Sequence, residues 1–123
     1  MVLESDIWFH SMCAHHLLPF SGSAHVAYIP GERIVGLSKL GRVVDYFAHS
    51  LTTQEMITNQ VATLLETELE PVGVMVVLEA EHFCMSMRGL KKPGHLTKTS
   101  AVRGAFKEDS SGARQEFLSL IRK

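Results

Sequence analysis

"SAHVAYIPGERIVGLSKLGRVVDYFAHSL", residues 23–51, decides the fold, because the spacing of its apolar residues changes partway along. Over 23–30 the period is two. Ala24, Val26, Tyr28 and Pro30 lie on one side, and His25, Ala27 and Ile29 on the other, which is the pattern of a strand. "PGE" reads as a turn and "RIVGLS" as the second arm of a hairpin. From Ser38 the period lengthens. Leu40, Val43, Val44, Phe47 and Leu51 fall at helical spacing, and Ser38 stands where a helix cap belongs.

The flanks continue this order. "DIWFH" (6–10) reads as a short strand. "LTTQEMITNQVATLLETELEP" (51–71) reads as a second helix. Thr52 and Glu55 match a capping box, Met56, Ile57, Val61, Leu64, Leu65 and Leu69 make the apolar stripe, and Pro71 ends it. "GVMVVLEAEHFCMSMRG" (73–89) is a long strand, "TKTSAVRGAFKED" (97–109) another, and "GARQEFLSLI" (112–121) a closing short helix. Segregated strands and helices predict an α+β domain built on an antiparallel sheet of four strands. Such a sheet has two open edges, which proteins cover or pair with other subunits.

Bulk properties narrow the function. The 123 residues, 46% hydrophobic and 20% charged, make one globular domain. A formal net charge of -1 gives no general attraction to nucleic acid or to membrane. No apolar run approaches the about 20 residues that span a bilayer. The N-terminus has no signal-peptide pattern. Two cysteines without an export signal point to the cytoplasm.

Chemistry concentrates in two stretches. "SMCAHHLLPF" (11–20) carries Cys13, His15 and His16. "EAEHFCMSMRG" (79–89) places His82, Cys84 and Arg88 on one strand face, with Glu79, Glu81, Phe83, Met85 and Met87 on the other, expected to be the core face. Separately, each allows packing, a Cys–His nucleophile pair or a Cys13–Cys84 disulfide. Together they offer Cys13, His16 and Cys84 as three ligands, with His15 and His82 beside them. Three ligands and an open position suit a catalytic zinc; four closed ligands would make a structural one. Two thiolates and an imidazole favour zinc over magnesium or calcium. Ser38, Lys39 and Arg42 surround a helix start that favours anions, though a solvated charged turn looks the same. Arg88, Lys91 and Lys92 join them only through folding. From spacing alone Glu55 reads first as the capping-box partner of Thr52 and second as an acceptor for a purine's N–H groups.

At this point the motifs resemble those of the GTP cyclohydrolase I family. "SMCAHHLLPFSG", "AYIPGERIVGLSKLGRVVDYFA", "LTTQEMITNQVA", "EAEHFCMSMRG" and "KTSAVRGAF" match it in order and with collinear spacing. The resemblance implies the T-fold, an antiparallel sheet with two helices on one face whose sheets join into an oligomeric barrel. It implies a homodecamer of two pentamers with active sites between subunits. The implied reaction converts GTP and water to 7,8-dihydroneopterin triphosphate and formate, the entry to folate and other pterins. On this resemblance Cys13, His16 and Cys84 hold Zn2+. His15 and His82 are catalytic, Gln54 and Glu55 hold the guanine, and Ser38, Lys39, Arg42 and Arg88 hold the triphosphate. Two departures stand out. Ala14 replaces the family's usual Glu, and the family's N-terminal helices have no counterpart in residues 1–123, which form a single catalytic domain. A relative acting on another purine nucleotide and a binding or assembly subunit without turnover are the competing expectations.

Overall fold

The computed structural model describes residues 1–83, 95–108 and 112–122. Strand β1 (Val2–Cys13) and β2 (Pro19–Ile29) form a long antiparallel hairpin. Helix α1 (Leu37–Ala48), the two-residue strand β3 (Leu51–Thr52) and helix α2 (Gln54–Leu69) follow. Strands β4 (Gly73–His82) and β5 (Leu96–Gly104) complete the sheet, and a 3-10 turn (Ala105–Lys107) leads toward helix α3 (Ala113–Ile121). The sheet order is β3-β1-β2-β4-β5. The α+β class holds, with a fifth strand added, because β3 pairs parallel to the end of β1.

The partner of the first hairpin differs from expectation. β2 is bordered by β1 on one side and β4 on the other. No edge is left for "RIVGLS", so residues 33–36 run outside the sheet. They fold back over β2 instead: the Val35 amide donates to Tyr28 Oη at 3.1 Å, and Val35 packs on the core while Ile34 stays exposed.

Parity sorts the two faces of the sheet. Phe9 of β1, Ala24, Val26 and Tyr28 of β2, and Val74, Val76, Leu78 and Ala80 of β4 form the main core. Leu40, Val44 and Ala48 of α1 and Ile57, Val61, Leu65 and Leu69 of α2 cover them. Ala62 and Thr58 are buried on α2, whereas Met56 is half exposed, so the buried stripe lies slightly round the helix from the expected one. The opposite face is covered in part by Phe106 and Phe117, which pack on Ala27, Met75 and Val77. Helices thus lie on both faces, two on one and the short α3 on the other. Among the described residues no helix is long and apolar enough to cross a membrane.

The helix caps also move by one or two places. Gly36, not Ser38, precedes α1, and Ser38 lies inside its first turn. At α2 the cap is Thr53, whose hydroxyl accepts from the Met56 amide at 3.2 Å. Thr52 is instead buried in β3, where strand pairing fixes its backbone. α2 ends at Leu69, with Glu70 left-handed (φ 47) before Pro71.

On the α3 face His25 is almost fully buried. Its Nδ1 accepts from the Asp6 amide at 3.2 Å, where β1 shifts register and Asp6 has φ 57. That bond requires an unprotonated Nδ1, so Nε2 carries the hydrogen and faces Glu79 Oε2 at 3.4 Å. Lys98 Nζ lies 3.3 Å from the other Glu79 oxygen. Burial alone would raise the Glu79 carboxyl. The hydrogen bonds from His25 and Lys98 and the charge of Lys98 outweigh it and hold the carboxyl below its ordinary value.

Two stability results are expected. A Cβ on Gly22 would run into the Glu79 carbonyl of the paired strand. Gly22→Ala therefore lowers unfolding free energy by about 2 kcal/mol or more in urea titration. Glu79, with its depressed pKa, adds stability at pH above its unfolded value and loses it as pH falls through its lower folded value. Glu79→Gln should accordingly show a shallower loss of stability on acidification than the parent; an unchanged slope would contradict this.

Candidate active site

The ends of β1 and β4 and the start of α2 meet at one cleft of about 270 Å3. Cys13, His15, His16, Thr53, Gln54, Glu55, His82 and Thr97 line it. Five positions expected to carry chemistry or hold the purine lie in this cleft beside Cys13, although they are scattered from 15 to 82 in sequence. Cys84 and Arg88, together with Lys91 and Lys92, lie outside the described residues.

Backbone bonding shapes the Cys–His loop. Cys13 closes β1, and its amide donates to the Leu18 carbonyl while its own carbonyl accepts from the Leu17 amide, both at 2.9 Å. Leu17 turns the chain with φ 56. The Ala14 amide donates to the Thr52 carbonyl at 2.8 Å, tying the loop to β3. Cys13 is a free, buried thiol. His15 and His16 are exposed, with ring centroids 6.3 Å apart and planes nearly perpendicular. The backbone at position 14 is thus held, while its methyl side chain brings no charge to the loop.

His82 is held differently. β2 and β4 pair Phe20 with His82 across the sheet. Their rings stack at 4.5 Å with an interplanar angle of 2°. His82 stands on the face that continues Val74, Val76, Leu78 and Ala80, which is the main core face. The expected core face, carrying Glu79 and Glu81, is the other one. Burial pushes the His82 imidazole below its ordinary value, and the Glu55 carboxylate pulls it partly back. A neutral ring is favoured there.

Gln54 and Glu55 point opposite ways. The helical register that buries Ile57, Thr58, Val61 and Leu65 also buries Gln54 completely and leaves Glu55 exposed. Gln54 Nε2 donates toward the Leu78 carbonyl (3.1 Å), the Thr97 carbonyl (2.9 Å) and Thr99 Oγ1 (3.1 Å). Its Oε1 lies 2.7 Å from His82 Nε2. Glu55, in the first turn of α2, places a carboxylate at the cleft mouth.

Ser38, Lys39 and Arg42 are exposed on the first turns of α1 and are not among the residues lining this cleft. Lys39 and Arg42 flank a separate groove with Val43, Tyr46 and Leu64. Sequence reasoning missed Phe20, Thr53, Thr58, Thr97 and Thr99. The alternation of "TKTS" in β5 and the spacing 54, 58, 61, 65 in α2 were the available signals for all but Phe20 and Thr53.

The donor chemistry fits zinc in kind. A buried thiol and three imidazoles in one cleft are soft and borderline ligands, unlike the oxygen sets of magnesium or calcium. Among the described residues no group of three His, Cys, Asp or Glu side chains converges for a metal. Cys13 and His16 would be two ligands of a set whose third expected member, Cys84, lies outside them.

Comparison with known proteins completes the picture. In fold, the chain is similar to the archaeosine synthase QueF-Like in its apo crystal structure, with a TM-score of 0.68 at 16% identity, covering 85% of this chain and 93% of that one. In sequence it is 58% identical over 122 residues to GTP cyclohydrolase 1 of Aquifex aeolicus, covering 99% of this chain and 66% of the relative. It is 59% identical over 123 residues to GTP cyclohydrolase 1 of Brevibacillus brevis, covering 99% and 65%. The chain thus spans just under two thirds of the length of these relatives. The family model for GTP cyclohydrolase I matches residues 1–122, and the chain belongs to that family.

Proposed function

We propose that this chain is the catalytic domain of a zinc-dependent GTP cyclohydrolase I, opening GTP at C8 to yield 7,8-dihydroneopterin triphosphate and formate. The observation that carries the reading is the single cleft shared by Cys13, His15, His16, Gln54, Glu55 and His82, together with the family membership.

Cys13, His16 and Cys84 hold the zinc. When bound, zinc supplies the Lewis acidity that makes water a nucleophile near neutral pH. The protein's own groups do the rest. Glu55 accepts hydrogen bonds from the N–H edge of the guanine, and its charge suits that edge. Gln54, expected at the same edge, has its amide engaged within the protein and is given a supporting role. His82 transfers a proton to the ring nitrogen beside C8 as water adds to that carbon. Its flat stack on Phe20 fixes the plane in which the proton moves. His15 shares the later transfers that release formate. Ring closure of the remaining pyrimidine on the rearranged sugar completes the product, with one water consumed overall.

Among the described residues, those lining this cleft include no Lys or Arg for the triphosphate. Arg88 follows β4 in sequence, and Ser38, Lys39 and Arg42 stand on α1. We assign the latter three to the triphosphate of a site shared between copies of the chain, in a homo-oligomer built as a decamer of two pentamers. The uncovered part of the sheet supports self-association. Trp8 is 65% exposed and Met12 43% on the face opposite the main core, with Leu96 exposed on the edge strand β5. No nucleic-acid or membrane partner is assigned. A GTP substrate supports a cytoplasmic activity, one that feeds folate or related pterins.

The test is formate release from GTP by the zinc-loaded protein, with zinc content measured on the same sample. Cys13→Ser should lose zinc and formate together. His82→Ala should keep zinc and lose formate release by about 100-fold or more. Formate release undiminished in zinc-free Cys13→Ser would refute the metal assignment. Glu55→Gln should raise the KM for GTP by about tenfold or more, the loss of a charge-assisted hydrogen bond, with a smaller change in kcat.

A further inference from the structure

The direction of every hydrogen bond around Gln54 follows from chemistry alone. Carbonyl oxygens only accept. Two of them, from Leu78 and Thr97, face one end of the Gln54 amide. That end must be Nε2, because the flipped amide would set its oxygen against both carbonyls. Oε1 therefore faces His82, and the ring nitrogen 2.7 Å away must donate to it. Flipping the imidazole offers no escape, since it would put a carbon at that short distance.

Two hydroxyls lock the arrangement. Thr58 Oγ1 donates to the Gln54 carbonyl one helical turn back, at 2.8 Å. Its single hydrogen is used there, so it accepts from Thr99 Oγ1 at 2.7 Å. Gln54 Nε2 has two hydrogens for three acceptors, so Thr99 Oγ1, 3.1 Å away, shares one of them with a carbonyl. The circuit leaves Gln54 by its amide nitrogen and returns to it at its own carbonyl. Gln54 and Thr58 are essentially fully buried, so water does not compete.

We propose that Gln54, held by Thr58 and Thr99, is a positioning residue that fixes neutral His82 as the Nε2–H tautomer. The lone pair of the neutral ring then sits on Nδ1. His82 acts as an acid only after Nδ1 is protonated. It gives that proton to the substrate nitrogen: the Nδ1–H bond breaks, the N–H bond on the purine forms, and the electron pair stays on Nδ1. The product of the step is the tautomer Gln54 already stabilises. The kinetic part of this proposal rests on the proton-transfer role given to His82 above; the tautomer does not.

The test begins with the unaltered zinc-loaded protein, labelled with nitrogen-15 in its histidine rings. His82 signals are assigned by their loss in His82→Asn. In the neutral ring hydrogen on Nε2 is expected, and hydrogen on Nδ1 overturns the proposal with no variant needed. Gln54→Leu should mix the two tautomers and lower kcat for formate release by about 100-fold, with the KM for GTP within about threefold. Thr99→Val should lower kcat by a smaller factor, and Thr99→Ser should restore it. A raised KM with unchanged kcat and tautomer in Gln54→Leu would overturn the proposal and make Gln54 a purine contact. Full formate release by His82→Asn would instead overturn the role of His82, leaving the spectrum alone to decide the tautomer.

Discussion

β2 and β4 run antiparallel in unbroken register for the length of both strands, from Phe20 beside His82 to Ile29 beside Gly73. Most of the molecule depends on that pairing. Every core position of one strand lies beside a core position of the other, so the face beneath α1 and α2 is apolar along its length. The register also ends where the chemistry begins. The last core-facing place on β4 is occupied by an imidazole, and the place opposite by the aromatic ring it stacks on. A slip of one residue would send His82 to the other face, away from α2.

The site is therefore an extension of the hydrophobic core, and its properties follow from that position. A half-buried imidazole resists protonation because its charged form loses solvation. A fully buried amide cannot face water, so it must satisfy all its polar atoms within the protein. It does so between two strands and a helix. The Cys–His loop obeys a different constraint: it lies at the sheet's end and is shaped by backbone bonds, with both imidazoles exposed.

Much of this was legible in the residues. The change of period after Ser38 located the passage from strand to helix, and alternation assigned the faces of β2 correctly. Of the clusters at 13–16 and 79–88, Cys13, His15, His16 and His82 line one cleft. What failed had physical causes. "RIVGLS" has strand-like composition, but pairing depends on a free edge, and β4 occupies the edge of β2. The expected core face of β4 was judged from Phe83, Met85 and Met87, whereas the helices cover the face of Val74, Val76, Leu78 and Ala80. Gln54 and Glu55 are neighbours in sequence and read as a pair; about 100° of helical rotation separates them and gives one to the core and the other to solvent. The hydroxyls of Thr58 and Thr99 are remote in sequence, and only tertiary packing joins them.

The loop from Cys13 to Leu18 has one more consequence. Its ends are joined by two backbone bonds and its first residues are anchored to Thr52. Ordering a free segment of this kind would cost on the order of 1–2 kcal/mol per residue in backbone entropy. Here the fold meets that cost during folding. A ligand captured by this loop orders side chains only, and its affinity is correspondingly less burdened than that of a loop which must close around its guest.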